Sequence, residues 1–256
     1  MHLKFYKYQG TGNDFVMVDN RQFNFDKNNT KLIKALCDRR FGIGADGLIL
    51  LENHADYDFK MVYYNADGNE STMCGNGGRC LVAFAKHLGV IDHATVFEAV
   101  DGIHHASILN GIVKLQMQDV SNIETYKSHV FLNTGSPHHV QFEPNINDFD
   151  IQEKGKTIRY GAPYFQEGTN VNFVSKTDKG FRLRTYERGV EGETLSCGTG
   201  ATAVAIAMHY IGETKNTTID LQVEGGTLQV CFNEKNGKYT NVWLIGPAAF
   251  VFEGTL

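Results

Sequence analysis

Two short runs, Cys74-Gly75-Asn76-Gly77 and Cys197-Gly198-Thr199-Gly200, set a thiol directly ahead of small residues that open stretches rich in Ala and large apolar side chains. If each run starts a helix, its first-turn N–H groups have no partner inside the helix and carry partial positive charge. An anion can settle on such amides, and a thiol beside them ionises more readily. Each motif could therefore hold a carboxylate on its backbone and carry a proton on sulfur. Two such motifs could address one carbon from opposite sides.

The remaining cysteines, Cys37, Cys80 and Cys231, lack the Cys-Gly helix-start context and read as small buried apolar groups. Five cysteines with no CxxC pair point to thiols in a reducing compartment. No metal is expected. The two Cys-Gly motifs lie far apart without nearby ligands, and His104-His105 and His138-His139 are adjacent pairs without ligand-like spacing. Gly42-Ile43-Gly44-Ala45-Asp46-Gly47 matches GxGxxG, but strand-like Leu48–Leu51 follows where a dinucleotide fold needs a helix, so it reads as a turn. No P-loop and no GxSxG elbow occurs.

The elements that must position these thiols are mostly strands. Alternating or β-branched segments at Leu3–Gln9, Phe15–Asp19, Leu48–Leu51, Phe59–Tyr64, Thr95–Ala99, Ile112–Met117, Val171–Ser175, Arg182–Tyr186, Thr218–Val223 and Thr227–Phe232 predict β-structure. Thr30–Cys37 predicts a short amphipathic helix, and Gly75–Leu88 and Gly198–Ile211 predict buried ones, being nearly unbroken by charge. The two buried stretches also repeat each other. At a constant offset of 123 residues, Cys74, Gly75, Gly77 and Gly89 fall on Cys197, Gly198, Gly200 and Gly212, with Tyr63 on Tyr186, Glu70 on Glu193 and Ser71 on Thr194.

The repeat implies an α+β chain of two pseudo-symmetric strand-rich domains, each a mixed sheet or barrel wrapped around a central buried helix. The expected boundaries are 1–118 for the Cys74 repeat and 119–256 for the Cys197 repeat, with the last residues able to return to the first domain. A ligand site would be expected between two such domains. At 256 residues, 42% hydrophobic and 21% charged, the chain suits a globular fold and is neither disordered nor a disulfide-stapled miniature. A net charge of −5 without dense Lys/Arg runs argues against nucleic acid, and the apolar stretches are too short for a membrane span. The expected setting is cytoplasmic, with a small molecule as partner; a homodimer is compatible with the sequence but not specified by it.

Gly10-Thr11-Gly12-Asn13-Asp14-Phe15, Arg40–Gly47, Tyr64-Asn65-Ala66-Asp67-Gly68 before Cys74–Gly77, Gly135-Ser136-Pro137-His138, Asn170-Val171-Asn172-Phe173, and Tyr186-Glu187-Arg188-Gly189 before Cys197–Ala201 together resemble the diaminopimelate epimerase family. The resemblance runs in order over nearly the whole chain. It implies a cofactor-independent isomerase interconverting LL- and meso-diaminopimelate, with Cys74 and Cys197 as acid–base pair. It further implies substrate contacts from Asn13, Asn65, Asn76, Asn170, Glu187, Arg188 and Thr199 and from the amides of Gly75 and Gly198, with His138 and Glu187 supporting the thiols and the ammonium group. Local sequence alone reads Asn13 and Asn65 equally well as turn formers, and Glu187-Arg188 as a surface ion pair. Two positions depart from the family pattern: Gly47, where many members have Gln, and Ser136, where many have Asn; Ser136 can still hydrogen-bond. The other readings the sequence leaves open are a two-cysteine racemase of proline or hydroxyproline type and a non-catalytic amino-acid-binding protein.

Overall fold

The computed structural model describes residues 3–256, which divide into two compact units: unit 1 holds the chain up to Leu115 together with Gly246–Leu256, and unit 2 is Gln116–Ile245. The first part of the chain runs β1 (Lys4–Gly10), β2 (Asn13–Asp19), α1 (Thr30–Cys37), β3 (Gly47–Glu52), β4 (Phe59–Asn65), α2 (Gly75–His87), β5 (Ala94–Ala99), β6 (Gly102–Leu109) and β7 (Ile112–Gln116). Then come β8 (Ile123–Thr125), β9 (Val130–Asn133), β10 (Pro137–Phe142), α3 (Ile151–Tyr160), β11 (Asn170–Thr177), β12 (Gly180–Glu187), β13 (Gly192–Thr194), α4 (Gly198–Tyr210), β14 (Thr218–Val223), β15 (Gly226–Lys235), β16 (Lys238–Pro247) and β17 (Ala249–Thr255).

In unit 1 the strands form a mixed sheet. β1 and β2 pair antiparallel, β2 and β3 parallel, β3 and β4 antiparallel, β4 and β5 parallel, and β5, β6 and β7 follow as antiparallel neighbours. Unit 2 repeats the scheme: β9–β10 antiparallel, β10–β11 parallel, β11–β12 antiparallel, β12–β14 parallel, then β14–β15 and β15–β16 antiparallel. The outer partner of the first strand differs in origin. β9 pairs with the preceding β8, whereas β1 takes the C-terminal β17, which is why the last residues belong to unit 1.

Burial explains the strand compositions. All six residues of β3 are buried, as a Leu/Ile run with covered faces requires, whereas β14 alternates exposed and buried residues as a strand with one wet face does. The Ala-rich helices lie inside: α2 is buried from Gly75 to Ala85, and α4 has Ala201 to Met208 in one apolar cluster with Leu183, Leu221, Val230 and Leu244 from the strands of its unit. α1 is the amphipathic surface helix expected, with Asn29 accepting the Leu32 N–H at its start and Ile33, Leu36 and Cys37 turned inward.

Every strand and helix expected from the sequence recurs, shifted by a few residues at the ends. β6, β8–β10, β13, β16, β17 and α3 were not foreseen from pattern. In α3 a glycine sits mid-helix, where Gly normally argues against helix. The reason is tertiary: a Cβ on Gly155 would stand 2.4 Å from Cβ of Tyr186.

Candidate active site

Both Cys-Gly motifs are helix starts. Cys74 caps α2 and Cys197 caps α4, each with extended backbone (φ −108°, ψ 123° and φ −122°, ψ 113°) that turns the chain into the first helical residue. Cys74 is partly buried and Cys197 buried.

In unit 1, Asn13 opens β2 and its amide is clamped among three partners. Its Nδ2 donates to Asp46 Oδ2 at 2.6 Å, and its Oδ1 accepts from Asn76 Nδ2 at 3.2 Å and from Cys74 Sγ at 3.6 Å. Asp46 and the neighbouring Asp14 are held by cations: Arg39 donates to both Asp14 oxygens and to Asp46, and Lys7 lies 2.7 Å from Asp14. Burial would raise the Asp14 carboxyl, but Arg39 and Lys7 overcome it and hold the group at about 2. Asn65 ends β4, exposed, with its backbone in the turn to Gly68: its N–H donates to Asn69 O and its carbonyl accepts from Gly68 N–H. The Gly42–Gly47 segment is the turn expected, ending where β3 begins. A side chain at Gly47 would stand 2.5 Å from the Tyr64 carbonyl and 2.6 Å from the Tyr63 ring. The space a Gln would need there is taken by Tyr63.

In unit 2 a neutral hydrogen-bond chain runs to the thiol. Asn172 Nδ2 donates to Nδ1 of His138 at 3.0 Å, which leaves Nε2 to donate to Ser136 Oγ at 3.0 Å. Ser136 Oγ also accepts from Asn170 Nδ2 at 3.1 Å and lies 3.2 Å from Thr199 Oγ1, itself 3.5 Å from Cys197 Sγ. His138 is fully buried, and burial, reinforced by the Arg188 charge, lowers it to about 3, so it is neutral at physiological pH. Ser136 and Thr199 link it to Cys197. Asn170 also orients the next loop, its Oδ1 accepting the Arg188 backbone N–H at 2.9 Å, while Arg188 Nη1 donates to the Glu167 carbonyl at 3.0 Å. Glu187, at the end of β12, accepts from Thr194 Oγ1 at 2.8 Å.

Sequence reasoning did not assign Asn172, Thr185, Thr134 or Asp46. Thr185 Oγ1 donates to Asn172 Oδ1 at 3.0 Å, and Thr134 Oγ1 donates to the Thr199 carbonyl at 2.8 Å. A signal for Asn172 existed: it stands two residues after Asn170 in a strand and therefore shares its face. Cys37 and Cys80 are buried and pushed up to about 12 by burial, as inert thiols should be.

The sequence profile of the diaminopimelate epimerase family matches residues 5–127 and again residues 130–251, so both halves carry its pattern. The chain belongs to the diaminopimelate epimerase family. A diaminopimelate epimerase of Flavobacterium psychrophilum is 61% identical over 256 residues, covering 99% of this chain and 100% of that protein. One from Aquifex aeolicus is 37% identical, with 99% and 98% covered. Among solved structures, a Bacillus anthracis phenazine biosynthesis protein of the PhzF family superposes with a TM-score of 0.79 at 11% identity, covering 100% of this chain and 99% of that one. A hydroxyproline epimerase from Agrobacterium vitis superposes with 0.73 at 14% identity, covering 100% and 91%. These two likenesses show the fold: an α+β, strand-rich architecture. The family is one of isomerases, and the departure at Gly47 leaves that membership intact.

Proposed function

We propose that the chain is an epimerase interconverting LL- and meso-2,6-diaminopimelate, a step of lysine and peptidoglycan precursor biosynthesis, with Cys74 and Cys197 as the two proton carriers. The observation that carries this is a thiol at the start of a buried helix in each repeat of a chain whose relatives over its full length are diaminopimelate epimerases. Inverting a carbon that bears hydrogen requires a proton to leave one face and another to arrive at the other. A single base would have to travel around the substrate; two thiols, one from each repeat, need not.

In this reading one sulfur, as thiolate, takes the α-proton while the other, as thiol, donates from the opposite side, and the roles exchange in the reverse direction. Negative charge builds on the substrate carboxylate in between. First-turn amides of Gly75, Asn76, Gly198 and Thr199 are groups that stabilise such charge without reorganising. Glu187 serves the ammonium group on the reacting carbon, which keeps the adjacent proton acidic. Asn13, Asn65, Asn76, Asn170, Arg188, Ser136 and Thr199 serve the rest of the substrate, and His138 acts through Ser136 and Thr199 by fixing the hydroxyls beside Cys197. Proton transfer of this kind needs sulfur and amides and no added cofactor. No helix among the described residues is long and apolar enough to cross a membrane, and a cytoplasmic setting with a small-molecule substrate fits this reading.

The test is incubation of the purified protein with LL-diaminopimelate in deuterated water, without pyridoxal phosphate, metal or nucleotide. Epimerisation with deuterium entering at one α-carbon is expected. Turnover that requires an added cofactor, or inversion of proline or hydroxyproline with diaminopimelate left untouched, would overturn the reading.

A further inference from the structure

Gly47 is a gap in a row of side chains that the proposed chemistry uses. Its register partners are Phe15 on β2 and Asn65 on β4, and the residue before it is Asp46, which holds Asn13. Residues two apart in a strand share a face. Asn13 and Phe15 on β2, Gly47 and Ile49 on β3, and Met61, Tyr63 and Asn65 on β4 therefore lie on one side of the sheet. The start of α2 covers that side: a Cβ on Gly77 would come 2.9 Å from Ile49 Cδ1 and 3.5 Å from both Met61 Cε and Cys74 Cβ. A polar group at Gly47 would stand one step along the sheet from the foot of Cys74, toward Asn13 and Asn65.

The gap is filled from the neighbouring strand. A Cβ on Gly47 would stand 2.6 Å from Cε2 of Tyr63 and 3.2 Å from its hydroxyl oxygen, so the Tyr63 ring lies across the glycine and brings a phenol to it. On the far side the ring meets Phe15 edge-on, with 5.9 Å between centroids, which fixes its tilt. Phe15 is fully buried, whereas Tyr63 keeps part of its surface open.

The second repeat shows what such a position can do. Asn170 pairs with His138 in unit 2 as Gly47 pairs with Phe15 in unit 1, and the offset of 123 residues makes the two positions equivalent. Asn170 presents an amide there, which donates to Ser136, accepts from the Arg188 backbone and, in the functional reading, serves the substrate. Unit 1 has no side chain at that place and has a phenol laid over it instead. A phenol both donates and accepts, so it can serve either group of an amino-acid end. The spacing points to one end in particular. Two residues along a strand cover about 7 Å, the step from Ile49 beneath Cys74 to Gly47. The two α-carbons of diaminopimelate are four carbon–carbon bonds apart, roughly 5 Å.

We propose that Tyr63 is a specificity-determining residue whose hydroxyl, held across Gly47, hydrogen-bonds the distal, unreacting amino-acid end of diaminopimelate. The inference rests on the reading of Cys74 as a proton carrier to that substrate. The distal end keeps its charges throughout the reaction, so a bond to it strengthens ground state and transition state alike and is read in KM rather than in kcat.

The experiment is epimerisation of LL-diaminopimelate by the unmodified protein and by Tyr63→Phe, which keeps the ring against Phe15 and removes one oxygen. 2-Aminoheptanoate, which has the reacting end and no distal one, serves as competitive inhibitor of both. Tyr63→Phe should raise KM about ten- to thirtyfold, leave kcat within about threefold, and leave the inhibition constant of 2-aminoheptanoate within about twofold. An unmoved KM or a loss confined to kcat overturns the proposal. Equal weakening of substrate and 2-aminoheptanoate overturns it too, because the hydroxyl would then shape unit 1 and not meet the distal end. Absence of turnover in the unmodified protein defeats the functional reading and this one with it, whereas turnover there with an unmoved KM in Tyr63→Phe defeats this one alone.

Discussion

The two repeats share a strand order, a buried helix and a capping cysteine, yet the groups that surround the sulfur differ in kind. Around Cys74 stand the amides of Asn13 and Asn76 with an outer ring of charge from Asp14, Asp46, Arg39 and Lys7. Around Cys197 the equivalents of Asn13 and Asn76 are Ser136 and Thr199, and behind them lies a buried neutral network of His138, Asn172 and Thr185. At the positions equivalent to those three, unit 1 has Phe15, Ile49 and Val62, all buried and apolar. The same backbone therefore accepts a greasy layer or a polar one there. Burying polar groups costs free energy unless each is satisfied, so the fold alone does not call for the unit 2 network, and a role in holding Cys197 and its neighbours does.

The largest expected effect tests what the repeats share. Cys74→Ala and Cys197→Ala should each lower epimerisation about 10³-fold or more, with far-ultraviolet circular dichroism unchanged, because proton carriers on the two faces cannot replace one another. If only one substitution has this effect, the repeats are unequal in chemistry and the other cysteine is structural.

A second pair of variants tests where they differ. Gly77 and Gly200 occupy equivalent positions, but a Cβ on Gly77 would meet the mobile end of Ile49 at 2.9 Å, whereas one on Gly200 would meet Asn172 Oδ1 at 2.6 Å and Cys197 Sγ at 3.3 Å. Ile49 can swing aside and the clamped Asn172 cannot. Gly200→Ala should cost about ten- to hundredfold in kcat, Gly77→Ala less than about threefold. Equal losses would show that the unit 2 network yields as easily as an apolar contact.

This contrast also explains what could be read from the chain. Ala-rich helices bounded by Cys-Gly and Gly announce themselves in local sequence, and so do β-branched strands such as β3 and β14. The offset of 123 residues carried the remaining symmetry. The Asn172–His138–Ser136–Thr199 chain is different: it joins β10, β11 and α4, whose adjacency is set by strand pairing between residues more than 30 apart. α3 was hidden for the same kind of reason, since Gly155 is there for Tyr186 on another strand. The return of β17 to β1 leaves no local mark either, because it answers the edge that β8 covers in the other repeat.

Acid should separate the repeats next. The folded value of His138 is about 3 against an ordinary 6.5, so between those limits the unfolded chain binds a proton that the folded one refuses, and stability falls as pH drops through the window. At pH 5 this single group removes on the order of 2 kcal/mol. His139, at about 4 through burial and the neighbouring His129 charge, adds in the same direction. Asp14 behaves otherwise. Its value is about 2 against 3.8, so its contribution is intact above 3.8 and fades only as pH falls toward 2. Urea midpoints should therefore decline between pH 7 and 5, and His138→Gln should flatten that decline while Asp14→Asn leaves its slope alone. A decline that survives His138→Gln undiminished would place the acid sensitivity elsewhere.

The smallest effect concerns the caps themselves and sets α2 and α4 against α1 and α3. Asn29 and Asp150 cap α1 and α3 with side-chain oxygens, accepting the N–H groups of Leu32 and Glu153 at 3.0 and 2.9 Å. Replacing either by Ala should cost about 1 kcal/mol. At α2 and α4 the cap residue is a cysteine whose side chain makes no capping hydrogen bond, sulfur being a weak acceptor, so the site helices forgo the stabilisation that the surface helices take. Serine returns it: Cys197→Ser should be more stable than Cys197→Ala by roughly 0.5–1 kcal/mol while remaining inactive, since a hydroxyl does not ionise in the working range. Cys74→Ser should exceed Cys74→Ala in the same direction, since α2 likewise starts at a cysteine whose side chain makes no capping hydrogen bond. Denaturant midpoints for the four proteins, measured at one pH, give the comparison. Equal stabilities of the Ser and Ala variants at position 197 would mean that the first turn of α4 draws nothing from its cap, and the choice of cysteine there would then carry no cost in stability.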